Sequence, residues 1–472
     1  MKIVTTKRDV IWNYIGTFIS LGSSFLLLPF LVKGLSGADL GIWYVFTALG
    51  SFVMLFEFGF NPTFARNIAY CWSGAQKLKS EGITVEEHVH EEINVKLFAQ
   101  LISVSKMVYA RVTLIVALIL IIPGTWYIWH VSGGQLDNHL FIAWALYVAA
   151  TLVNMFYLYY AAMLRGIRCI AEDNKNKIFA RLAQLVISAV LLLCGFGLVG
   201  ATLGYCVYAI FYRIYGYVLF WCNPNVRKMN IQSIRVSKQE RKEIFGTISH
   251  NAYKDGVVML SNYGATQAGT LLCSWFLSLE QTGTYSIGLQ LANAIGTVAL
   301  AYFTSCRPAI QSAYQRNDYA SIQRMAGKGI DAYIAIFVVA TIGVLAVVYP
   351  LLHVINPTES YDPMIFLGLA VYMFIFNWIA LFSSMIANFN SIPYMTAYVI
   401  TSVAGILLSA LLLGPLHAGP WGLVWGMALP QTCYNLWKWP NDASVRIKMN
   451  TLNLSKLGWV EWRKELTRHH DL

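Results

Sequence analysis

The stretch His250–Gly269, HNAYKDGVVMLSNYGATQAG, opens a long apolar run but is too polar to face lipid on every side. On an α-helix, steps of seven and eleven residues from Asp255 reach Asn262 and Thr266, so polar groups share one stripe. The first apolar run repeats this stripe with Asn13, Thr17, Ser20 and Ser24. Inside a membrane, a polar stripe faces either a partner helix or a water-filled path. Two stripes at equivalent places favour a path, and helix packing remains the alternative for each single residue.

The composition indicates a polytopic membrane protein. Of the 472 residues, 57% are hydrophobic and 12% are charged, and the mean hydropathy is +0.54. Soluble proteins carry about 25% charged residues. The eight cysteines are scattered without a C-x-x-C pair, so neither a disulfide framework nor a metal site is predicted.

Twelve apolar stretches are long enough to cross a bilayer, which takes about 20 residues. They run over 10–32, 39–60, 107–129, 139–163, 178–197, 199–221, 256–277, 282–305, 329–352, 363–385, 392–413 and 419–437. Nearly all of the 34 Lys and Arg residues fall in the termini and loops of one side. The positive-inside rule makes that side cytoplasmic, so most of the net charge of +11 is a topology signal. The sequence thus predicts an all-α polytopic membrane protein with about twelve transmembrane helices and both termini in the cytoplasm.

The two halves of the chain repeat. LSGADLGIW at Leu35–Trp43 aligns with LSLEQTGTY at Leu277–Tyr285, at the offset that also relates the two polar stripes. Parallel six-helix repeats are typical of transporters in which two bundles move about a midplane site. The predicted domains are an N-terminal bundle at 1–222 with a long cytoplasmic loop at 61–106, a cytoplasmic linker at 223–245, a C-terminal bundle at 246–437 and a cytoplasmic tail at 438–472 with an interfacial helix.

Three stretches carry a family resemblance: Lys7–Phe46, Phe56–Tyr70 (FEFGFNPTFARNIAY) and Ser249–Leu291. They resemble the polysaccharide flippases, of the Wzx or O-antigen type, in the multidrug/oligosaccharidyl-lipid/polysaccharide (MOP) exporter superfamily. The resemblance implies a MATE-like, V-shaped carrier of two six-helix bundles in the bacterial inner membrane. It also implies a cargo, an oligosaccharide on undecaprenyl pyrophosphate, that moves from the inner to the outer leaflet for surface polysaccharide or lipopolysaccharide synthesis. An ion gradient of H⁺ or Na⁺ would supply the work, and no bound cofactor is expected.

A cargo of this kind needs cations for its pyrophosphate, with Arg offering a bidentate fork, and amides for its sugar hydroxyls. Arg213 lies about 21 Å inside its span from the outer end, which makes it the basic residue most clearly within the bilayer. Snorkelling to the inner interface is the alternative for Arg213. Positive-inside charge is the alternative for the other cations, and packing is the alternative for the amides. The predicted substrate-binding residues are Arg213, Lys254, Arg66, Arg307, Asn262, Asn154 and Asn377.

Two acids are predicted to couple transport to the ion gradient. Glu57 lies deep in the second span, and Asp255 lies at the inner mouth of the seventh. A carboxylate that can be neutralised there can carry a proton or help to hold Na⁺. An ion pair with Arg66 or another base of the inner face is the alternative for Glu57.

Other function classes are weighed against the flippase. A multidrug or cation antiporter of the same superfamily should have an acidic cavity, whereas the clearest mid-depth charge here is Arg213. An enzyme is not expected, because no sizeable outer loop offers catalytic groups and no P-loop motif is present. A non-transporting scaffold of a polysaccharide assembly complex is the second alternative. The expected partners are the lipid-linked oligosaccharide and membrane lipids, with a polysaccharide polymerase or chain-length protein as further candidates and no nucleic acid.

Overall fold

The computed structural model describes residues 22–23, 25–72, 74, 93–358, 361–389 and 393–470. Regular structure in these ranges is helical, and they contain no β-strand. The chain divides into two compact units, Met1–Met259 and Leu260–Leu472. The boundary lies within a helix, and the predicted functional division at 223–245 stays a prediction.

The helices that begin in the first unit are Phe25–Gly34 (α1), Gly37–Glu57 (α2), Phe60–Trp72 (α3), Val95–Val131 (α4), Asn138–Gly166 (α5), Ile170–Leu193 (α6), Gly197–Trp221 (α7), Pro224–Lys228 (α8) and Lys238–Thr266 (α9). Those of the second unit are Ala268–Phe276 (α10), Leu279–Gln315 (α11), Tyr319–Ile355 (α12), Pro363–Ala387 (α13), Met395–Leu413 (α14), Pro420–Pro430 (α15), Leu436–Ile447 (α16) and Thr451–His470 (α17).

Nine of these helices, α2, α4 to α7 and α11 to α14, are long and apolar enough to cross a membrane, as counted over the described ranges. The prediction of an all-α polytopic membrane protein is therefore confirmed. The polar stripe of the first predicted span, Asn13, Thr17, Ser20 and Ser24, lies outside the described residues, which from that span include only Gly22, Ser23 and the part of α1 up to Val32.

The seventh predicted span, 256–277, differs from the structure. The helix α9 begins at Lys238, and a break at Gln267 separates it from α10. The early start follows from a capping box, in which Glu240 donates its N–H to Ser237 Oγ at 3.2 Å and Ser237 donates its N–H to Glu240 Oε2 at 2.8 Å. Lys96 of α4 also bonds this carboxylate, at 2.8 Å, and together with the cap it lowers the pKa of Glu240 to about 2.

The twelfth predicted span, 419–437, is interrupted. The helix α15 ends at Pro430, and a π-helical turn at Gln431–Asn435 leads into α16. Proline has no N–H to donate and its ring collides with the preceding turn, so Pro430 disturbs the helix directly before this π-helical turn.

The predicted loop at 61–106 is partly helical. Its first residues belong to α3, and its last residues, from Val95 onward, run without a break into the third span as α4. Asn94 caps this helix by accepting the N–H of Leu97 at 2.9 Å. No glycine or proline interrupts the chain before Pro123, so the surface segment and the span form one helix.

In the second unit, the last turns of α9 pack against α13 and α14. Tyr372 donates its hydroxyl to the carbonyl of Ala265 at 2.6 Å, and Ser402 donates to the carbonyl of Ser261 at 2.9 Å. Such side-chain-to-backbone bonds hold membrane helices together. Asn262 lies on another face of α9 and is exposed.

Candidate functional site

The second predicted span ends in a sharp corner that positions Glu57. Phe58 (φ 46°) and Gly59 (φ 71°) both adopt left-handed backbone conformations between α2 and α3, and such a conformation is uncommon for a side chain as large as Phe58. The buried carboxylate of Glu57 accepts the backbone N–H of Asn61 and the hydroxyl of Tyr109, the latter at 2.6 Å. The carboxylate therefore sits at the positive end of α3, where a negative charge is stabilised.

A basic residue of α5, Arg165, is hydrogen-bonded to this corner. Asn61 donates its side-chain amide to the carbonyl of Leu158 at 3.2 Å and accepts a hydrogen bond from the Arg165 guanidinium. Arg165 also interacts electrostatically with Glu57. Arg66, the alternative ion-pair partner of Glu57, is exposed on α3. The structure thus joins Glu57 to Arg165 through Asn61.

Arg213 is buried among the helices of the first unit, with 6% of its surface exposed. Its Nε donates to Asn154 Oδ1 at 2.6 Å, and its Cζ lies 4.5 Å from the centre of the Tyr212 ring. Two predicted substrate-binding residues are therefore hydrogen-bonded to each other. The guanidinium is held by side chains within the bundle, whereas a snorkelling side chain would extend to the interface.

A second buried acid, Asp173, shares the neighbour Tyr212 with Arg213, and sequence reasoning missed it. Its Oδ1 accepts the Tyr212 hydroxyl at 3.1 Å, and its carboxylate interacts electrostatically with Arg165 and Arg213. Tyr109 bonds to Glu57 and lies within electrostatic reach of Arg213. Two carboxylates and two guanidinium groups thus form one interior network in this unit.

A column of stacked rings, the tyrosine ladder, extends the network through Tyr147, Tyr205, Tyr208 and Tyr212. Successive ring centres are 4.9, 6.2 and 5.7 Å apart. Arg181 of α6 places its Cζ 4.0 Å from the centre of the Tyr208 ring and donates to Gln184 at 2.8 Å. The spacing of Tyr205, Tyr208 and Tyr212 on one face of α7 was the sequence signal for the ladder.

The other predicted site residues are not brought into this network. Arg307 of α11 is half-buried and donates to Asn388 Oδ1 at 3.4 Å. Asn377 is buried and donates to the carbonyl of Met373 one turn earlier at 2.8 Å, as expected of a packing residue. Asn262 is exposed. The side chains of Lys254 and Asp255 lie outside the described residues, and their roles stay predictions.

The backbone beside Asp255 does reach the Glu57 corner. A methyl group at Gly256 of α9 would lie 2.7 Å from Phe58 Cδ1 and 3.1 Å from Phe58 Cα, so only glycine allows this approach. The rings of Phe60 and Phe245 stack with centres 6.2 Å apart and hold α9 against α3. The chain positions next to the two predicted coupling acids therefore contact each other.

This approach gives a stability prediction with a matched control on the same helix. Gly256→Ala is expected to destabilise the purified protein by about 1–3 kcal/mol, because the added methyl overpacks Phe58. Gly246→Ala adds the same methyl where no atom lies within 4 Å, and it should stabilise α9 by up to about 1 kcal/mol. Apparent melting temperatures in detergent measure both effects. Shifts of the same sign and size in the two variants would contradict the contact.

Comparisons with known proteins agree with this architecture. No protein-family model and no curated protein sequence matches the chain. Among solved structures, a MATE-family multidrug resistance transporter of the MOP superfamily, captured facing inward, superposes with a TM-score of 0.68 at 13% identity, over 95% of this chain and 99% of that one. The chain has the fold of a MOP-superfamily transporter.

Two further solved structures have this fold but differ in what is said of their function. The lipid II flippase MurJ, in an inward closed conformation, superposes with a TM-score of 0.58 at 10% identity, over 96% of this chain and 93% of that one. A MOP-superfamily transporter from Pyrococcus furiosus, whose binding pocket of reverse polarity suggests a different function, gives 0.54 at 12% identity, over 93% and 95% of the two chains. At these sequence identities the similarity establishes the fold, and the cargo has to be inferred from the chemistry of the site.

Proposed function

We propose that this protein is an ion-gradient-driven flippase of the bacterial inner membrane. Its cargo is a polyprenyl-pyrophosphate-linked oligosaccharide, which it moves from the inner to the outer leaflet for surface polysaccharide synthesis. The observation that carries the proposal is the buried Arg213, supported on the tyrosine ladder with Arg181 beside it. A permanent positive charge inside a membrane protein is costly and marks a functional site.

The residues of the network match the parts of such a cargo. Guanidinium groups bind phosphate oxygens through two parallel N–H bonds, which a lysine cannot reproduce. Tyrosine combines an apolar ring with a hydroxyl. The rings of the ladder therefore suit the apolar faces of sugars, and its hydroxyls suit the sugar hydroxyls. The amide of Asn154, now bonded to Arg213 at 2.6 Å, is a further partner for hydroxyl groups. A flippase for another lipid-linked sugar, lipid II, shares the fold and supports the proposal.

The same network provides a way to couple cargo to an ion. The carboxylates of Asp173 and Glu57 offset the charge of Arg213 and Arg165. A pyrophosphate that binds the guanidinium groups competes with these carboxylates, and a displaced carboxylate in a membrane interior takes up H⁺ or Na⁺. Cargo binding and ion uptake then favour each other, and this linkage couples the movement of the cargo to the ion.

The proposal is tested in vesicles that contain the purified protein. A fluorescent polyprenyl-pyrophosphate disaccharide in one leaflet is followed with a membrane-impermeant quencher, with and without an imposed pH or Na⁺ gradient. Gradient-dependent movement of the lipid-linked sugar, without movement of an organic cation such as ethidium, is the expected result. Movement of ethidium alone would overturn the flippase proposal. Movement of neither probe would favour the alternative of a non-transporting scaffold.

A multidrug or cation antiporter is the second candidate. The buried carboxylates Glu57 and Asp173 favour it, because acids in a membrane cavity attract cationic compounds. The MATE-family transporter with a TM-score of 0.68 shares its fold. Arg213 and Arg165 oppose it, since the two guanidinium groups that act on these two acids leave no net negative charge to hold a cation.

A further inference from the structure

The C-terminal helix α17 is fixed against the N-terminal part of α12 by a glycine contact. Gly458 meets Gly327 so closely that a methyl group on either would collide with the backbone opposite. Ser455 donates its hydroxyl to Asp331 Oδ1 at 2.5 Å, and Trp462 donates its indole N–H to the carbonyl of Lys328 at 3.2 Å. The tail helix is therefore a packed element of the second unit and holds one orientation relative to α12.

The contact with α12 places α17 at the level of the lipid headgroups. Asp331 lies about 36 Å along the helix from Ile355, the end that the charge asymmetry assigns to the outer surface. The hydrocarbon core is about 30 Å thick, and the headgroup regions extend it to about 40–45 Å. Asp331, and the part of α17 that it touches, thus lie at the inner boundary of the hydrocarbon, where the ninth predicted span, 329–352, begins.

The orientation of α17 defines which side faces the bilayer. Asp331 is about one turn closer to the hydrocarbon than Gly327, and both Ser455 and Gly458 of α17 lie against its carboxylate. Leu452 and Trp459 flank Ser455 at positions i−3 and i+4, so they lie on the same side of the helix. Their exposed fractions are 75% and 59%. Large apolar side chains that are exposed at this level suit a lipid interface, where tryptophan is enriched.

Two cations flank this apolar pair. Lys456 lies between Leu452 and Trp459 on the helix surface, and Arg463 places its Cζ 5.6 Å from the centre of the Trp459 ring. Both basic side chains are exposed. By contrast, Lys464 pairs with Glu461 at 3.0 Å and follows Ser455 by two and a half turns, so it points away from the bilayer.

From this arrangement we propose that the face formed by Leu452, Lys456, Trp459 and Arg463, here called the tail face, docks on anionic phospholipids of the inner leaflet. The apolar pair enters the interface while the cations bind the phosphates of anionic headgroups. Because glycine packing joins α17 to α12, this docking acts on a membrane-spanning helix of the carrier. The proposal is independent of the cargo.

The test measures the oxidation of Trp459 by hydroxyl radicals, read by peptide mass spectrometry on the full-length protein. Vesicles of phosphatidylcholine alone are compared with vesicles that also contain phosphatidylglycerol. Trp459 is expected to be oxidised several-fold less in the anionic vesicles. Trp462, which packs against Lys328, reports whether α17 remains docked on α12.

Two matched substitutions on α17 separate lipid docking from a structural effect. Lys456→Gln should raise the phosphatidylglycerol content needed for half-protection of Trp459 about fivefold, since each cation near an anionic surface contributes about that factor. Lys464→Gln removes the same charge on the far side and should leave the protection unchanged. Arg463→Gln replaces Lys456→Gln if the latter exposes Trp462. Equal oxidation of Trp459 in both vesicle types, equal effects of the two lysine variants, or protection that requires a soluble protein would each overturn the proposal.

Discussion

Export of lipid-linked oligosaccharide, compared at equal protein abundance in the membrane, should fall at least a hundredfold in Arg213→Ala and about tenfold in Arg213→Lys, because a hydrogen bond to a charged group contributes about 1.5–3 kcal/mol. Lysine keeps the positive charge but loses the two-pronged bond to a phosphate, and alanine loses both. The assay is vesicle transport of the fluorescent polyprenyl-pyrophosphate disaccharide. The expected order is wild type, lysine, alanine.

The buried position of Arg213 requires a control for folding. Its removal leaves the Asp173 carboxylate with one fewer neighbouring cation, and breaking a buried charge pair costs about 3–5 kcal/mol. The double variant Arg213→Met/Asp173→Asn removes both charges, so it should recover abundance and thermal stability while export stays low. Arg111→Ala removes an exposed arginine of α4 in the same unit and should export as wild type does. Wild-type export by Arg213→Ala would remove Arg213 from the mechanism.

The transmembrane fold could be predicted from the sequence because hydropathy and charge asymmetry act over whole helices. The site was predicted only in part, and the missed residues show why. The fifth span was expected at 178–197, yet α6 begins at Ile170. The apolar stretch ends where the charged residues begin. The helix continues beyond it, because its polar turns are buried by neighbouring helices. Asp173 was therefore assigned to a loop, although only 8% of its surface is exposed.

Single residues at mid-depth were easier to find than their partners. Arg213 was chosen by its depth and Asn154 by its amide, and the structure joins them at 2.6 Å. Arg181 was not among the predicted substrate-binding residues, although its guanidinium stacks on Tyr208. Asn377 was predicted to bind substrate but does not join the network. Its amide donates to a carbonyl of its own helix. Depth identifies candidates, but contacts between helices decide which of them meet.

The coupling acids give the second large effect. Glu57→Gln and Asp255→Asn should leave the protein folded and able to bind cargo but remove the response of export to an imposed gradient. A gradient of one pH unit supplies about 1.4 kcal/mol per proton, so a coupled carrier gains up to about tenfold in cargo accumulation and an uncoupled one gains nothing. Glutamine at position 57 keeps an oxygen to accept the Asn61 N–H and the Tyr109 hydroxyl, so the corner between α2 and α3 should persist.

The design of this experiment separates coupling from binding and from folding. Cargo binding is measured without a gradient, export is measured with imposed pH and Na⁺ gradients in turn, and the ion that restores the wild-type response is the coupling ion. Glu280→Gln, in the first turn of α11, makes the same chemical change at a residue outside the network and should keep the full response. A carboxylate held in a membrane interior is costly to keep charged, so its occupancy by an ion biases which face of the carrier is open. If both neutral variants respond to the gradient as the wild type does, Glu57 and Asp255 serve only to hold helices together. The gradient must then act through another group, and Asp173, which interacts electrostatically with Arg213, is the next residue to replace.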